Sequence, residues 1–383
     1  MIQNDVFVQI SNDIINNKYD FLNLDKVDVD HILYIAQGFD HYKNLVLVGF
    51  GASLLNTRAI LSSISKTSKN FIYIDSLASD YIDQKLSNID LSETVFFLVS
   101  KSGNTSEVYH IAKYIYDQYS PDPPNINVVC RKSDNLLFNF AKTISANYIE
   151  HEQVISGRFG IIQPTALLIS SILGVDISKF VKSAKLCIAN FLSDGANGAN
   201  SKAINQANWY LENYNQGKSI LVIFNYINQM DGLCRYKQQI IAESLGKGGF
   251  GITPIVSYGS FDEHSQLQLY LDGPDDKFYE IYSLSNIRDF DRNRATLDQQ
   301  IYNHCTNTYH SLLNHSRAAQ IISRKFLDET IIANEIIHIM ITIIAIAKTQ
   351  SHNPFDQPMI DQIKSKLNNS KTYKTHLLCH IDN

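Results

Sequence analysis

Val95-Phe96-Phe97-Leu98-Val99-Ser100-Lys101-Ser102-Gly103-Asn104-Thr105-Ser106-Glu107 holds a five-residue apolar run, then a polar loop, then the start of a helical pattern in Val108, Ile111, Ala112 and Ile115. An apolar run without alternation is what a strand buried on both faces requires, as in a parallel sheet covered by helices. The same plan recurs on both sides. Leu45-Val46-Leu47-Val48 runs into Gly49-Phe50-Gly51-Ala52-Ser53 and a helix over 54–64. Phe71 to Asp75 and Asn127 to Cys130 supply further strands. Later, Ser219 to Phe224, Ile252 to Val256 and Phe278 to Tyr282 repeat the pattern. Strands alternating with helices predict an α/β fold with parallel central sheets and flanking helices, in two units of similar plan.

The boundaries follow from composition. Residues 1–40 read as a helical or irregular lead-in, with Val6, Ile10, Ile14 and Ile15 at roughly helical spacing. A first α/β unit spans 41–195 and a second 196–350, divided at Ser193-Asp194-Gly195-Ala196-Asn197-Gly198, which reads as a linker. Residues 351–383 form a C-terminal segment. The apolar run Ile336 to Ala347, interrupted by His338, is too short to span a bilayer and reads as a buried helix.

Composition narrows the class. The chain has 383 residues, 44% of them hydrophobic, which fills two cores. A net charge of −5 argues against a general nucleic-acid or anionic-membrane surface, although an anionic substrate needs only a local cradle. The five cysteines are scattered and suggest neither a zinc site nor a disulfide framework. His151-Glu152 opens like a metalloprotease motif but has Ile155 where the second histidine belongs, so no metal is expected. The N-terminus lacks a signal-peptide pattern, which makes the cytoplasm the default compartment.

Four stretches carry chemistry. The Ser100–Thr105 loop places three hydroxyls, a lysine and a glycine before a helix N-terminus, where free N–H groups favour an anion. Asn104 with Glu107 also fits a capping box, but the further polar residues exceed what a cap needs, and a phosphomonoester site is the better reading. Gly49-x-Gly51-x-Ser53 lacks the third glycine of a dinucleotide fingerprint, and reads instead as a tight turn bringing backbone N–H groups and Ser53 towards a small ligand. Arg158 lies in a glycine-flanked turn, Ser156-Gly157-Arg158-Phe159-Gly160. Finally, Ile240-Ile241-Ala242-Glu243-Ser244-Leu245-Gly246-Lys247-Gly248-Gly249 ends a helix begun near Asp231, which offers a capping oxygen. Leu233, Lys237, Ile240, Ile241 and Leu245 recur at helical spacing, and glycines in the left-handed conformation would stop it. Glu243 then stands in the last turn, facing the negative end of the helix dipole, which favours taking up a proton and suits a general base. A surface glutamate paired with Lys247 is the simpler alternative.

Glu243-Ser-x-Gly-Lys is followed by Asp262-Glu263-His264-Ser265-Gln266-Leu267-Gln268-Leu269, and then by Asn353-Pro354-Phe355-Asp356-Gln357-Pro358 with Lys364 beyond it. Three blocks in this order resemble the phosphoglucose (glucose-6-phosphate) isomerase family, with paired sugar-isomerase domains, over residues from about 45 to 366. The resemblance implies interconversion of glucose 6-phosphate and fructose 6-phosphate, a step of glycolysis and gluconeogenesis, in a cytoplasmic homodimer without a cofactor. It implies that Ser100, Lys101, Ser102 and Thr105 bind the sugar phosphate, that Gln357 contacts substrate, and that Glu243 moves the proton between C2 and C1. Arg158 would steady the enediolate, while His264, donated across the dimer interface, and Lys364 would open the sugar ring. Two alternatives stay open: an isomerase of mannose or amino-sugar phosphates, and a non-catalytic sugar-phosphate-binding regulator. His264 itself sits on a Leu267, Leu271 helical face or a Leu267, Leu269, Leu271 strand face; the pattern allows both.

Overall fold

The computed structural model describes residues 2, 4–152, 156–193, 201–285, 292–360 and 362–363. Five strands build the first sheet: β1 Asn44–Val48, β2 Asn70–Ile74, β3 Thr94–Ser100, β4 Ile126–Cys130 and β5 Asn147–Glu150. All pair in parallel, in the order β2-β1-β3-β4-β5. Every residue of β1, β3 and β4 is buried, which is why these strands are mostly apolar and do not alternate, with Asn127 the polar residue inside β4. Chain order reverses between β1 and β3, where Val48 stands beside Leu98. In such sheets ligands bind in the crevice outside the carboxyl ends at this reversal. The turn after β1 and the loop after β3 both open there.

Four more strands form the second sheet: β6 Ile220–Asn225, β7 Thr253–Tyr258, β8 Lys277–Leu284 and β9 Ala318–Arg324. They too are parallel, in the order β7-β6-β8-β9. The predicted α/β class with parallel sheets therefore holds. Two strands escaped the sequence reading. β5 and β9 are edge strands, mixed in burial, and carry polar residues such as Asn147 and Gln320 in place of an apolar run. Residues 285–330, given no role from sequence, supply β9 and the helix Arg292–Asn314.

The linker expected at Ser193–Gly198 lies, beyond Ser193, outside the described residues. The lead-in holds two helices, Asn4–Ile15 and Val29–Gln37. The expected buried helix at Ile336–Ala347 is longer than the apolar run: it spans Glu329–Thr349, 21 residues, enough by length and composition to cross a membrane. Yet 78% of its most apolar window is buried inside the protein, against the helices Ile177–Ser193, Lys202–Asn215 and Asp231–Leu245.

The helix Asp231–Leu245 joins the two halves. It follows β6 and buries Leu233, Ile240, Ile241 and Leu245, each worth about 1.5–3 kcal/mol of apolar burial. It packs closely on the helix Ala52–Leu61 of the first half. Gly232 permits this, since a Cβ there would lie 2.1 Å from the Arg58 carbonyl oxygen. Lys237, on the buried face, is neutralised by the wholly buried Glu280, which also accepts from Tyr210 at 2.9 Å.

Two expected helix signals resolve differently. Asp231 is the first helical residue and caps nothing; Met230 is the N-cap, and the Asp231 carboxylate accepts from Arg58 and Tyr258, both at 2.5 Å. The helix closes at Gly246 with φ of −73°, and the left-handed glycines come later, at Gly248 and Gly249.

Candidate active site

Glu243 is in the last turn of its helix, as read from sequence, with its side chain about a third exposed. Its carboxylate is held on several sides. Arg158 Nη1 approaches Oε2 at 3.2 Å, Gln239 Nε2 donates to Oε1 at 2.8 Å, and the Gln357 amide donates to Oε2. Lys247 does not pair with Glu243. It binds Asp356 Oδ1 at 2.5 Å and the Asn353 carbonyl, and so straps the Asn353–Gln357 segment to the end of the helix. Gln239 was not singled out from sequence. Its signal is spacing: a residue one helical turn before Glu243 shares its face.

Arg158 is 1% exposed, in a 3-10 turn Gly157–Ile162. All three nitrogens of its guanidinium donate to protein groups. Nε donates to Ser244 Oγ at 2.8 Å, and Nη2 to the carbonyls of Pro354 and Asp356 at 2.5 and 3.2 Å. Burial pushes its pKa below the ordinary arginine value, while Glu243 and Asp356 oppose that shift. It stays a cation, and its flat fork suits it to bind four groups at once. One arginine thus ties together the helix end, the base candidate and the C-terminal segment.

The Ser100–Thr105 loop is a shaped turn. Ser100 Oγ and Thr105 Oγ1 are 2.8 Å apart, Gly103 N–H donates to Ser100 Oγ at 3.2 Å, and Asn104 N–H donates to Ser102 Oγ at 3.2 Å. Gly103 has φ of +71°, and a Cβ there would strike Asn135 Oδ1 at 1.9 Å. The capping box that Asn104 and Glu107 would also fit is not formed. Thr105 is the N-cap of Ser106–Tyr119 without a side-chain cap bond, and the Asn104 side chain instead accepts from Leu136 N–H at 3.2 Å. The first backbone donors of this helix are therefore left without a capping side chain. Lys101 lines a small cavity of about 30 Å³ together with Ser53, Glu152 and Gly157. Burial, then Arg131, push its pKa below the usual lysine value, against Asp20 and Glu152. Gly51 is the N-cap of Ala52–Leu61 with φ of +53°, and a Cβ there would lie 3.0 Å from Gln239 Nε2. The turn, the cradle loop, the arginine turn and the Glu243 helix thus converge on one end of the first sheet.

His264 falls in a series of turns between β7 and the short helix Leu267–Asp272, so the following leucines are helical and the histidine precedes them. It is exposed, and among the described residues no hydrogen bond joins it to Glu243, Arg158 or Gln357. Its neighbour Glu263 anchors the turn, accepting from Tyr226 at 2.5 Å and lying 2.7 Å from His304 Nδ1. Lys364 lies outside the described residues. Among the described residues no cluster of three or more metal-ligating side chains occurs.

Two parallel sheets of this order with flanking helices are a fold of the sugar-isomerase α/β class. The fold is similar to a hypothetical protein from Thermus thermophilus (TM-score 0.81, 19% identity, covering 95% of this chain and 94% of that one). It is also similar to a glucose-6-phosphate isomerase from Chlamydia trachomatis (TM-score 0.72, 16% identity, 89% and 71%). The family described as phosphoglucose isomerase matches residues 25–257. Over 283 residues the chain is 31% identical to the glucose-6-phosphate isomerase of Methanocaldococcus jannaschii, covering 68% of this chain and 69% of the relative. With the glucose-6-phosphate isomerase of Campylobacter jejuni the identity is 25% over 323 residues, 78% of each. A relative from Methanococcus maripaludis, named "Probable glucose-6-phosphate isomerase", is 31% identical over 72% of this chain, and the match spans 64% of that relative's length. The chain belongs to the phosphoglucose isomerase family.

Proposed function

We propose that this chain interconverts glucose 6-phosphate and fructose 6-phosphate by acid–base proton transfer through a cis-enediol. The observation that carries this reading is the partly exposed Glu243 carboxylate, held by Arg158, Gln239 and Gln357 at the end where the cradle loop opens. Ser100, Lys101, Ser102 and Thr105 hold the phosphate, with Gly51 and Ser53 lining the sugar. Anchoring by the phosphate makes proton transfer effectively intramolecular. Glu243 takes the proton from C2 and returns it to C1, while a hydroxyl proton passes from O2 to O1. Arg158 supplies fixed positive potential for the enediolate and keeps Glu243 and the Gln357 segment in place. The electrons stay within the substrate, so the reaction needs no cofactor.

The same reading takes residues 41–195 and 196–350 as the two sugar-isomerase units, and places the enzyme in the cytoplasm as a homodimer. His264, absent from its own chain's Glu243 cluster, then reaches the partner's site and shares ring opening with Lys364.

The test is a coupled assay converting fructose 6-phosphate to glucose 6-phosphate. Wild-type protein should turn over, and Glu243→Gln, which keeps shape but removes basicity, should be slower by ~10²–10⁴-fold with substrate binding retained. A variant as fast as wild type would remove Glu243 from the mechanism.

A further inference from the structure

The second sheet reverses its strand order between β6 and β8 just as the first does between β1 and β3. The same rule therefore points to a crevice outside its carboxyl ends. A cavity of about 440 Å³ lies there, lined by Gln229 after β6, Leu284 ending β8, Lys325 after β9, and Ser63, Ser65 and Lys66 from the first half of the chain. Ser63 is 4% exposed, and its hydroxyl oxygen is buried without a hydrogen-bond partner. Lys66 and Lys325 are exposed, and among the described residues neither is paired with a carboxylate. The acids next along the chain are already engaged: Asp328 and Glu329 bind Lys179 at 2.8 and 3.0 Å. Arg324 is taken by Glu335 at 2.7 Å. Among the described residues, what remains at the cavity is two ammonium groups without a carboxylate partner, the exposed Ser65, and the buried Ser63 oxygen without a partner.

We propose that this cavity is a second phosphate-binding site, taking the phosphate group of a small phosphorylated metabolite between Lys66 and Lys325, apart from the catalytic cradle. Its volume falls within the range of small-ligand pockets. Because Ser63, Ser65 and Lys66 belong to the first half and Lys325 to the second, the bound phosphate bridges the halves and stabilises their packing by mass action. The proposal does not depend on the catalytic reading, since the two sites use different residues.

Calorimetric titration of the full chain with inorganic phosphate tests it. Wild type should show two sites. Lys66→Ala with Lys325→Ala should weaken one of them by at least about tenfold, as expected for lost charge-assisted bonds, while turnover and phosphate competition with substrate persist. Ser102→Ala with Thr105→Ala should weaken the other site instead, and Lys66→Arg with Lys325→Arg should keep both. Both lysines are exposed, so folding should survive, and unchanged circular dichroism checks this. A lysine double variant that titrates as wild type does overturns the proposal, whereas one wild-type site that the lysine change abolishes keeps it and removes the Ser100–Thr105 loop instead.

Discussion

Arg158 and Glu243 are 85 positions apart in the chain, yet Nη1 of the one lies 3.2 Å from Oε2 of the other. The arginine is almost fully buried and the glutamate about a third exposed. A cation sealed in the protein thus presents a carboxylate at the edge of the cleft. Its remaining donors hold Ser244 and the Pro354 and Asp356 carbonyls, so the pair also fixes the segment that carries Gln357.

Arg158→Lys tests this clamp. A lysine keeps the charge but cannot serve helix, carboxylate and loop together. Stability should fall by about 2–4 kcal/mol, the cost of leaving buried acceptors unpaired, and turnover should fall with it. Urea unfolding measures the first quantity. A midpoint within error of wild type would mean the clamp contributes no stability.

Inorganic phosphate should compete with the sugar phosphate at the Ser100–Thr105 loop. Ser102→Ala with Thr105→Ala should raise the inhibition constant, each lost bond to the anion costing on the order of 1.5–3 kcal/mol. Unaltered phosphate inhibition in this double variant would move the catalytic anion site elsewhere.

Asp13 links the first helix to the long C-terminal one, meeting Lys348 at 2.7 Å, Lys18 at 2.8 Å and Tyr19 at 3.0 Å. Burial raises its pKa, but the bonds from Lys18, Lys348 and Tyr19 outweigh that and hold it at about 2, below the ordinary 3.8. A depressed folded pKa contributes stability above the unfolded value, and this is lost as pH falls from about 3.8 towards 2. Asp13→Asn should therefore melt at a lower temperature than wild type at pH 7, with the gap closing near pH 2. Thermal melts across that range decide it, and a gap independent of pH would show that the ion pairs contribute nothing.

Mixing Glu243→Gln chains with His264→Ala chains tests the shared site. If His264 serves the partner, a mixed dimer has one site with both defects and one intact. Random pairing at equal amounts makes about half the dimers mixed, restoring about a quarter of wild-type sites. If both residues came from one chain, refolding them together would restore no isomerase activity. No recovery, with mixed dimers shown to form, would return His264 to its own subunit or outside catalysis.

Amino-acid order alone determined the α/β class, because strands buried on both faces are mostly apolar without alternation, and β1, β3, β4 and β6 have that property despite a few buried polar residues such as Asn127. It also determined that Glu243 ends a helix and that the Ser100–Thr105 loop precedes one, since both depend on local backbone preferences. Edge strands β5 and β9 escaped because half-exposed strands need no apolar run. Caps misled for a related reason. Asp231 and Asn104 are competent caps, but Arg58 and the Leu136 N–H, distant in sequence, bind them instead. Only the tertiary structure decided the long-range partners: that Lys237 can occupy a buried face because Glu280 neutralises it, and that Lys247 holds Asp356 and leaves Glu243 to Arg158. Charge pairing depends on distances between side chains brought together by folding, and spacing along the chain carries no record of them.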